Sequence, residues 1–466
     1  MNTILLQPTD VLFFRDGRPM GGASAGHGAV WPLPTVTDAA LHAALHRSGI
    51  DGHLHRRGQN GIYSNDRDRK YGSLVTAGPF PYRSNTLAPL EDEPQPGWYF
   101  PRPLDLTGDT LSPTLLPVRL NGSSSLAGPL KYAVACSVAP SKESAAKNWL
   151  SASAYQRYLK GEAGEPGPGE AVDDRDFSDA ESTIGIGIDS ETQTQDGERI
   201  YSAHYLRLHE GWRLGVLAKT DEKLDSDASN RADLIPKLID SSRHIVVGGQ
   251  QRICTATIEH TTSRLPLPLG LCNGFQERTG KYLVKWVLLS PAVFPSIGAN
   301  DERQITPHPG GWLPNWISIG DGAVLLRGGD TDRRSGESRE AWRARVRREC
   351  PTINARLVAA IVPKPIIVTG WALPHDEANR PEGGAKPTLL AVPAGAVYYF
   401  EATANPELGT TAEQEAQKLA NALNWHGDPA APDFGTTIKN RRSTLLGEKG
   451  FGLGVCGSWD YFGTRS

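Results

Sequence analysis

Clustered cysteines are the first thing this sequence lacks. Its five cysteines, at 136, 254, 272, 350 and 456, stand apart, with no Cys-x-x-Cys and no neighbouring histidine pair. That excludes a zinc site of ordinary spacing and a disulfide framework, and points to buried, reduced thiols. Long apolar runs are missing too: no segment approaches the roughly 20 residues of a membrane span. The opening Met1-Asn2-Thr3-Ile4-Leu5-Leu6-Gln7-Pro8 has neither a basic stretch nor a long apolar core, so the expectation is a cytoplasmic protein without membrane contact. Charge of one sign is also lacking. Lys and Arg number 49 against 52 Asp and Glu, a formal net charge of -3, so any basic surface for nucleic acid has to be local. No repeat of fixed period is present.

What is present in quantity is glycine and proline, 50 and 35 of 466 residues. Together they favour short strands with long irregular connections over helix bundles. The length exceeds what one hydrophobic core usually serves, so two domains are expected. The most concentrated motif lies near the C-terminus, where Arg441 and Arg442 precede Gly447-Glu448-Lys449-Gly450-Phe451-Gly452-Leu453-Gly454-Val455-Cys456-Gly457. Glycines let a backbone approach a phosphate closely, and the three cations supply charge for it. Phe451, Leu453 and Val455 alternate with the glycines and predict a short strand. No Lys-Ser/Thr follows, so this is not a nucleotide-binding P-loop; no strand–helix–strand unit with an acidic residue follows, so it is not a dinucleotide fingerprint. Plain loop geometry remains the competing reading.

A second anion-friendly stretch lies near the start. Two apolar runs, Thr3 to Leu6 and Val11 to Phe14, lead into Arg15-Asp16-Gly17-Arg18-Pro19 and a glycine-rich loop holding His27. After Trp31-Pro32-Leu33-Pro34, Thr37 or Asp38 is expected to cap a helix from Ala39 to Arg47. Arg15 and Arg18 can equally pair with surface acids. Further on, residues 141 to 160 read as a helix carrying Trp149, Tyr155 and Leu159. Residues 161 to 170 form an acidic Gly/Pro tract that cannot bury a core. Apolar alternation at Ile184, Ile186 and Ile188 and again over 200–208, across a polar connection, predicts a protruding hairpin. Strands are expected at 281–294, 363–371 and 391–401, and a helix over 411–425. The class is α+β with mostly antiparallel strands.

These landmarks resemble, in order and over nearly the whole chain, the third Cmr subunit of type III-B CRISPR effector complexes, a Cas-five-like RAMP protein. The resemblance rests on Asp10 to Pro19 with Trp31-Pro32-Leu33-Pro34, on Ile184 to Tyr201, on Gly248-Gly249 with Arg252, and on Leu289 to Phe294 before Gly311-Trp312. It continues in Gly370-Trp371, in Ala394-Gly395-Ala396-Val397-Tyr398, and in the C-terminal glycines. Ala372 departs from it, since the family often has an acidic residue there.

The resemblance implies a RAMP protein with two ferredoxin-like, RRM-like domains, antiparallel sheets with inserted loops, and a C-terminal glycine-rich loop. The expected division is residues 1–215 and 240–466. It also implies a non-catalytic subunit that binds the 5′ handle of the crRNA. Its implied neighbours are the large Cas-ten-type subunit, the backbone RAMP subunit and the small subunit, with no cofactor and no metal. The residues expected to hold RNA are Arg15, Arg18, His27, Trp31, Arg441, Arg442, Lys449, Gly450, Gly452 and Gly454. For Trp31, packing against the following helix is the alternative. Two other functions stay open: a RAMP endoribonuclease processing repeat RNA with His27 as acid or base, and a nucleotide-binding metabolic enzyme using the glycines.

Overall fold

The computed structural model describes residues 1–14, 31–48, 73–84, 97–119, 126, 128–137, 146–189, 191–223, 231–259, 264–299, 306–331, 334, 336–372 and 384–462. Two antiparallel sheets organise them. The larger has eight strands, in the spatial order His244–Val246, Ile253–Glu259, Asn2–Pro8, Trp212–Lys219, Val75–Arg83, Gly97–Pro101, Trp149–Ser151 and Ala171–Val172. The first strand, Asn2–Pro8, therefore lies inside the sheet and needs apolar side chains on both faces. It has them. Ile4 and Leu6 pack with helices Pro34–Ser48 and Ile235–Ser241, while Leu5 joins the opposite cluster.

The second sheet is built on Lys281–Leu288, which pairs with Val397–Ala402 on one edge and with Gln276–Arg278 and Gly454–Ser458 on the other; Ala355–Ile361 extends it beyond Val397–Ala402. Its outer face is covered by helix Ala412–Leu423, which starts at a reciprocal Thr411/Gln414 capping box and buries Ala416, Leu419, Ala420 and Leu423. Its inner face shares one core with the first sheet. Leu283, Val287, Tyr399 and Val455 meet Leu5, Ala77 and Phe80 there, together with Tyr155, Tyr158 and Leu159 of helix Ala152–Lys160.

Within that shared core sits an ion pair. Lys285 projects from mid-strand, 1% exposed, and donates to Asp105 at 2.8 Å. Its ammonium lies 3.9 Å from the centre of the Tyr158 ring, and the Tyr158 hydroxyl donates to the other Asp105 oxygen at 2.7 Å. Burial pushes Lys285 below its ordinary pKa and Asp105 opposes that shift. Deep charges persist only when paired and hydrogen-bonded.

Several expectations shift. The strands His244–Val246 and Ile253–Glu259 lie beyond the anticipated boundary at 240 yet complete the first sheet, because Ile253–Glu259 zips along Asn2–Pro8 from Thr3↔Glu259 to Pro8↔Cys254. The first helix begins at Pro34, three residues before the expected cap. Proline is suited to the first helical turn, and the Thr37 hydroxyl donates back to the Pro34 carbonyl at 3.2 Å, a bond made inside a helix. Over 141–160, only Ala152–Lys160 is a helix among the described residues; Trp149 belongs to a strand, and Ser151 caps the helix by accepting from the Ala154 amide. The hairpin is present as Ser178–Ile188 and Gln195–Leu208.

Candidate nucleic-acid groove

A groove of about 740 Å³ opens where six separated stretches of chain converge. Phe13 and Phe14 end the N-terminal apolar run. Thr35, Val36, Ala39, Ala40 and Ala43 present the start of the Pro34–Ser48 helix. Gly248-Gly249, the Val368–Gly370 segment with Lys386, and Leu446 with Lys449 complete the walls. The floor is largely apolar and the two lysines are its cations.

Local chemistry explains the convergence. Phe13 pairs with Tyr205 on the long hairpin, and the rings lie 5.4 Å apart. The Gly249 amide donates to the Phe13 carbonyl at 2.9 Å. Gly248 has φ +80°, and a Cβ there would sit 2.5 Å from the Phe13 oxygen, so only glycine seats this turn against the strand. Arg252 pins the turn, 3.5 Å from Asp10 and 5.1 Å above the centre of the Tyr205 ring.

On the opposite wall Lys449 donates to Asp38 at 2.8 Å, joining the C-terminal glycine segment to the first helix. Asp38 is nearly buried. Burial raises its pKa, and Lys449 is the main opposing influence. Lys386 is exposed, its backbone amide donates to Gly370 at 2.8 Å, and among the described residues its ammonium has no carboxylate partner.

The expected RNA contacts divide. Arg15, Arg18 and His27 lie outside the described residues, in the stretch between Phe14 and Trp31. Lys449 is at the groove. The glycines are placed differently from an anion cradle. Gly450 and Gly452 are buried, their amides donating to Gly447 at 3.1 Å and Pro291 at 2.7 Å, and Gly454 opens the strand paired with Leu288. Gly452 has φ +75°, and a Cβ would lie 2.0 Å from the Ser443 nitrogen. Close packing of the chain on itself, rather than approach of a phosphate, is what these positions require here. Trp31 packs inward, its indole N–H donating to Pro79 at 2.9 Å and its ring meeting Phe177 and Trp149 edge-on.

Arg441 and Arg442 do not line the groove. Arg441 is half-buried, holds the Ile438 carbonyl at 3.4 Å, and leaves its Nε and Nη2 without a partner. Burial pushes its pKa down to about 10, with Glu448 opposing. Arg442 lines a separate cavity behind the glycine segment. Neither Lys386 nor Asp38 stands out in the sequence as a site residue. Lys386 is a single lysine before Pro387, with no local signal, whereas Asp38 was read as a helix cap and proves to be the partner of Lys449. Among the described residues no group of three or more His, Cys, Asp or Glu is placed to hold a metal ion, and no helix is long and apolar enough to cross a membrane.

The family model for CRISPR-associated proteins of the Cas_Cmr3 type matches residues 4–459. No curated protein matches the chain. Among solved structures, a chain of the cryo-EM structure of the type III-B Cmr-beta bound to cognate target RNA is similar at 13% identity, covering 85% of this chain and 86% of that one, with a TM-score of 0.36. A chain of the Csm3-Csm4 subcomplex in the type III-A CRISPR-Cas interference complex is similar at 10% identity, covering 89% of this chain and 97% of that one, with a TM-score of 0.31.

Proposed function

Since the chain belongs to the Cas_Cmr3 family of CRISPR-associated proteins, we propose that it is a non-catalytic subunit of a type III-B effector complex, binding the 5′ handle of the crRNA in the groove. The convergence there of four motifs far apart in sequence carries the reading: the N-terminal Phe13-Phe14 run, Gly248-Gly249, Gly370 and the C-terminal glycine segment. Single-stranded RNA is held by cations on its phosphates and by apolar or aromatic surface under its bases. An apolar floor with Lys386 and Lys449 on one wall has that character. In this proposal Arg15, Arg18 and His27 reach the handle from the stretch that leaves the groove at Phe14. Trp31, Gly450, Gly452 and Gly454 act by fixing the walls. Arg441 and Arg442 back the glycine segment from behind, outside the groove lining.

The two sheets with their helices are read as two ferredoxin-like, RRM-like units, the first reaching Glu259. A bridge to the large Cas-ten-type subunit and the backbone and small subunits needs apolar surface outside these cores. The hairpin offers it: Ile184, Ile186 and Ile188 are 78%, 50% and 64% exposed and alternate on one face of the strand. The test is to purify the tagged chain from its host and sequence the 5′ ends of bound RNA. Recovery of one shared repeat-derived 5′ sequence with other Cmr subunits is expected for the native chain, with RNA reduced for Lys386→Glu. Equal RNA recovery by both would refute the groove. Metal-independent cleavage of repeat RNA that disappears in His27→Ala would instead establish the nuclease reading.

A further inference from the structure

Behind the glycine segment lies a second cavity, of about 520 Å³, between the 327–331 turn, the C-terminal end of helix Ala412–Leu423 and the 427–442 connection. We propose that it is a binding site for a nucleoside phosphate, distinct from the groove. The volume is that of a small-ligand pocket. Four cations line it, Arg327, Lys418, Lys439 and Arg442, against two acids, Asp330 and Asp428. Both acids are engaged, Asp330 with Arg334 at 3.2 Å and Asp428 with the Ala430 amide at 2.9 Å.

The two guanidinium groups are the informative ones. Arg327 donates to the carbonyls of Cys350 and Arg347 at 2.6 and 3.1 Å. Arg442 donates to the Ala422 carbonyl and, at 2.9 Å, to the Asn440 side-chain oxygen. Neither meets a carboxylate among the described residues. Burial pushes Arg442 down to about 10 with nothing to oppose it. A guanidinium withdrawn from water among neutral oxygens, as Arg442 is, is stabilised by an incoming anion, and the fork of both arginines matches phosphate oxygens. The two lysines are held at the same cavity by acids outside it, Lys418 by Glu415 and Lys439 by Asp433, each at 2.7 Å.

A second observation distinguishes a nucleoside from a bare anion. Asn421 lines the cavity, and its Oδ1 is turned away from solvent without a hydrogen-bond partner, so rotation of the side chain is what brings its amide to a ligand. A buried acceptor left unsatisfied is costly. An asparagine amide accepts from the exocyclic amine of adenine and donates to the adjoining ring nitrogen. Phosphate at the cations and a base edge at Asn421 satisfy both demands. The same chemistry arrives either as a free mononucleotide or as the terminal nucleotide of an RNA.

The test titrates the full chain with 5′-AMP by calorimetry, with inorganic phosphate and a 5′-phosphorylated oligoadenylate in separate arms. Saturable AMP binding is expected, weakened about tenfold or more by Lys439→Glu, a partly exposed position, and by Asn421→Leu. Lys386→Glu, in the groove, should leave AMP binding unchanged while reducing handle RNA binding, so the two sites can fail separately. Competition by the oligonucleotide assigns the site to an RNA terminus, and its absence to a free nucleotide; both uphold the site. No saturable AMP binding at millimolar concentration, inorganic phosphate binding as tightly as AMP, or binding indifferent to Lys439→Glu in a variant of unchanged melting temperature would overturn it.

Discussion

Replacing Lys449 by methionine keeps the length and apolar stem of the side chain and removes only its charge. Asp38 then stays nearly buried without its ammonium partner. At an effective dielectric near 20, opposite charges about 4 Å apart attract by about 4 kcal/mol. The Lys449 side chain is 35% exposed, so solvent screening discounts that figure by about half. A loss of about 2 kcal/mol at neutral pH is expected, below the roughly 3–5 kcal/mol of breaking a fully buried pair. Asp38→Asn removes the charge that needed a partner and should cost about 1 kcal/mol, and the double variant no more than that. The coupling energy of about 2 kcal/mol is the quantity a double-mutant cycle in urea measures.

The pH dependence has a fixed sign. Burial raises the Asp38 pKa above its ordinary 3.8, so the stability this group allows is fully present below about that value and falls as pH rises through its folded-state pKa. Removing Lys449 removes the main influence lowering that pKa, so the variant's deficit should widen from acid to neutral pH and close where Asp38 is protonated in both proteins. Full stability of Lys449→Met at neutral pH, or a deficit of equal size at both ends of the range, would refute the ion pair as a clamp between the first helix and the glycine segment.

Gly452→Ala places a Cβ at 2.0 Å from the Ser443 nitrogen at positive φ; a loss of about 3 kcal/mol or more is expected in urea unfolding, and a wild-type midpoint would count against the tight turn. Lys386→Glu should lower the slope of handle affinity against salt by about 1 with melting unchanged. Lys285→Met strands the Asp105 carboxylate and should cost about 3–5 kcal/mol, much of it recovered in Lys285→Met with Asp105→Leu; no recovery would show that Asp105 matters for more than its partner. Threonine at Ile184, Ile186 and Ile188 should leave the melting curve intact and reduce co-purification of other Cmr subunits, and unchanged recovery would remove the hairpin from the bridging surface.

Strands were legible wherever one apolar period dominated, as at Lys281 to Leu288 and Val397 to Ala402. The helix over 412–423 was legible because its cap and its apolar spacing agree. Trp149 misled because an aromatic before a true helix mimics helical spacing, and only pairing with Pro101 and Val172 across the sheet decides its state. That Ile253–Glu259 pairs with the first strand was not legible for the same reason, since such pairing is a property of distant sequence. At the site, the sequence marked Lys449 by its charge among glycines. It could not mark Asp38 or Lys386, whose roles come from which helix and which turn face them.

The position of the Lys281–Leu288 strand bears on synthesis. Apart from the short Gln276–Arg278 strand just before it, its neighbours across the sheet are made more than a hundred residues later, the last being Gly454–Ser458. The first strand likewise waits for Trp212–Lys219 and Ile253–Glu259 before either edge is covered. While the ribosome is still working, each half of the nascent chain presents bare strand edges, and pairings so distant in sequence close slowly. Such chains are open to mispairing until late in translation. A partner that reaches the emerging first half early would shield those edges, so the order in which subunits are made can govern how much of the protein folds.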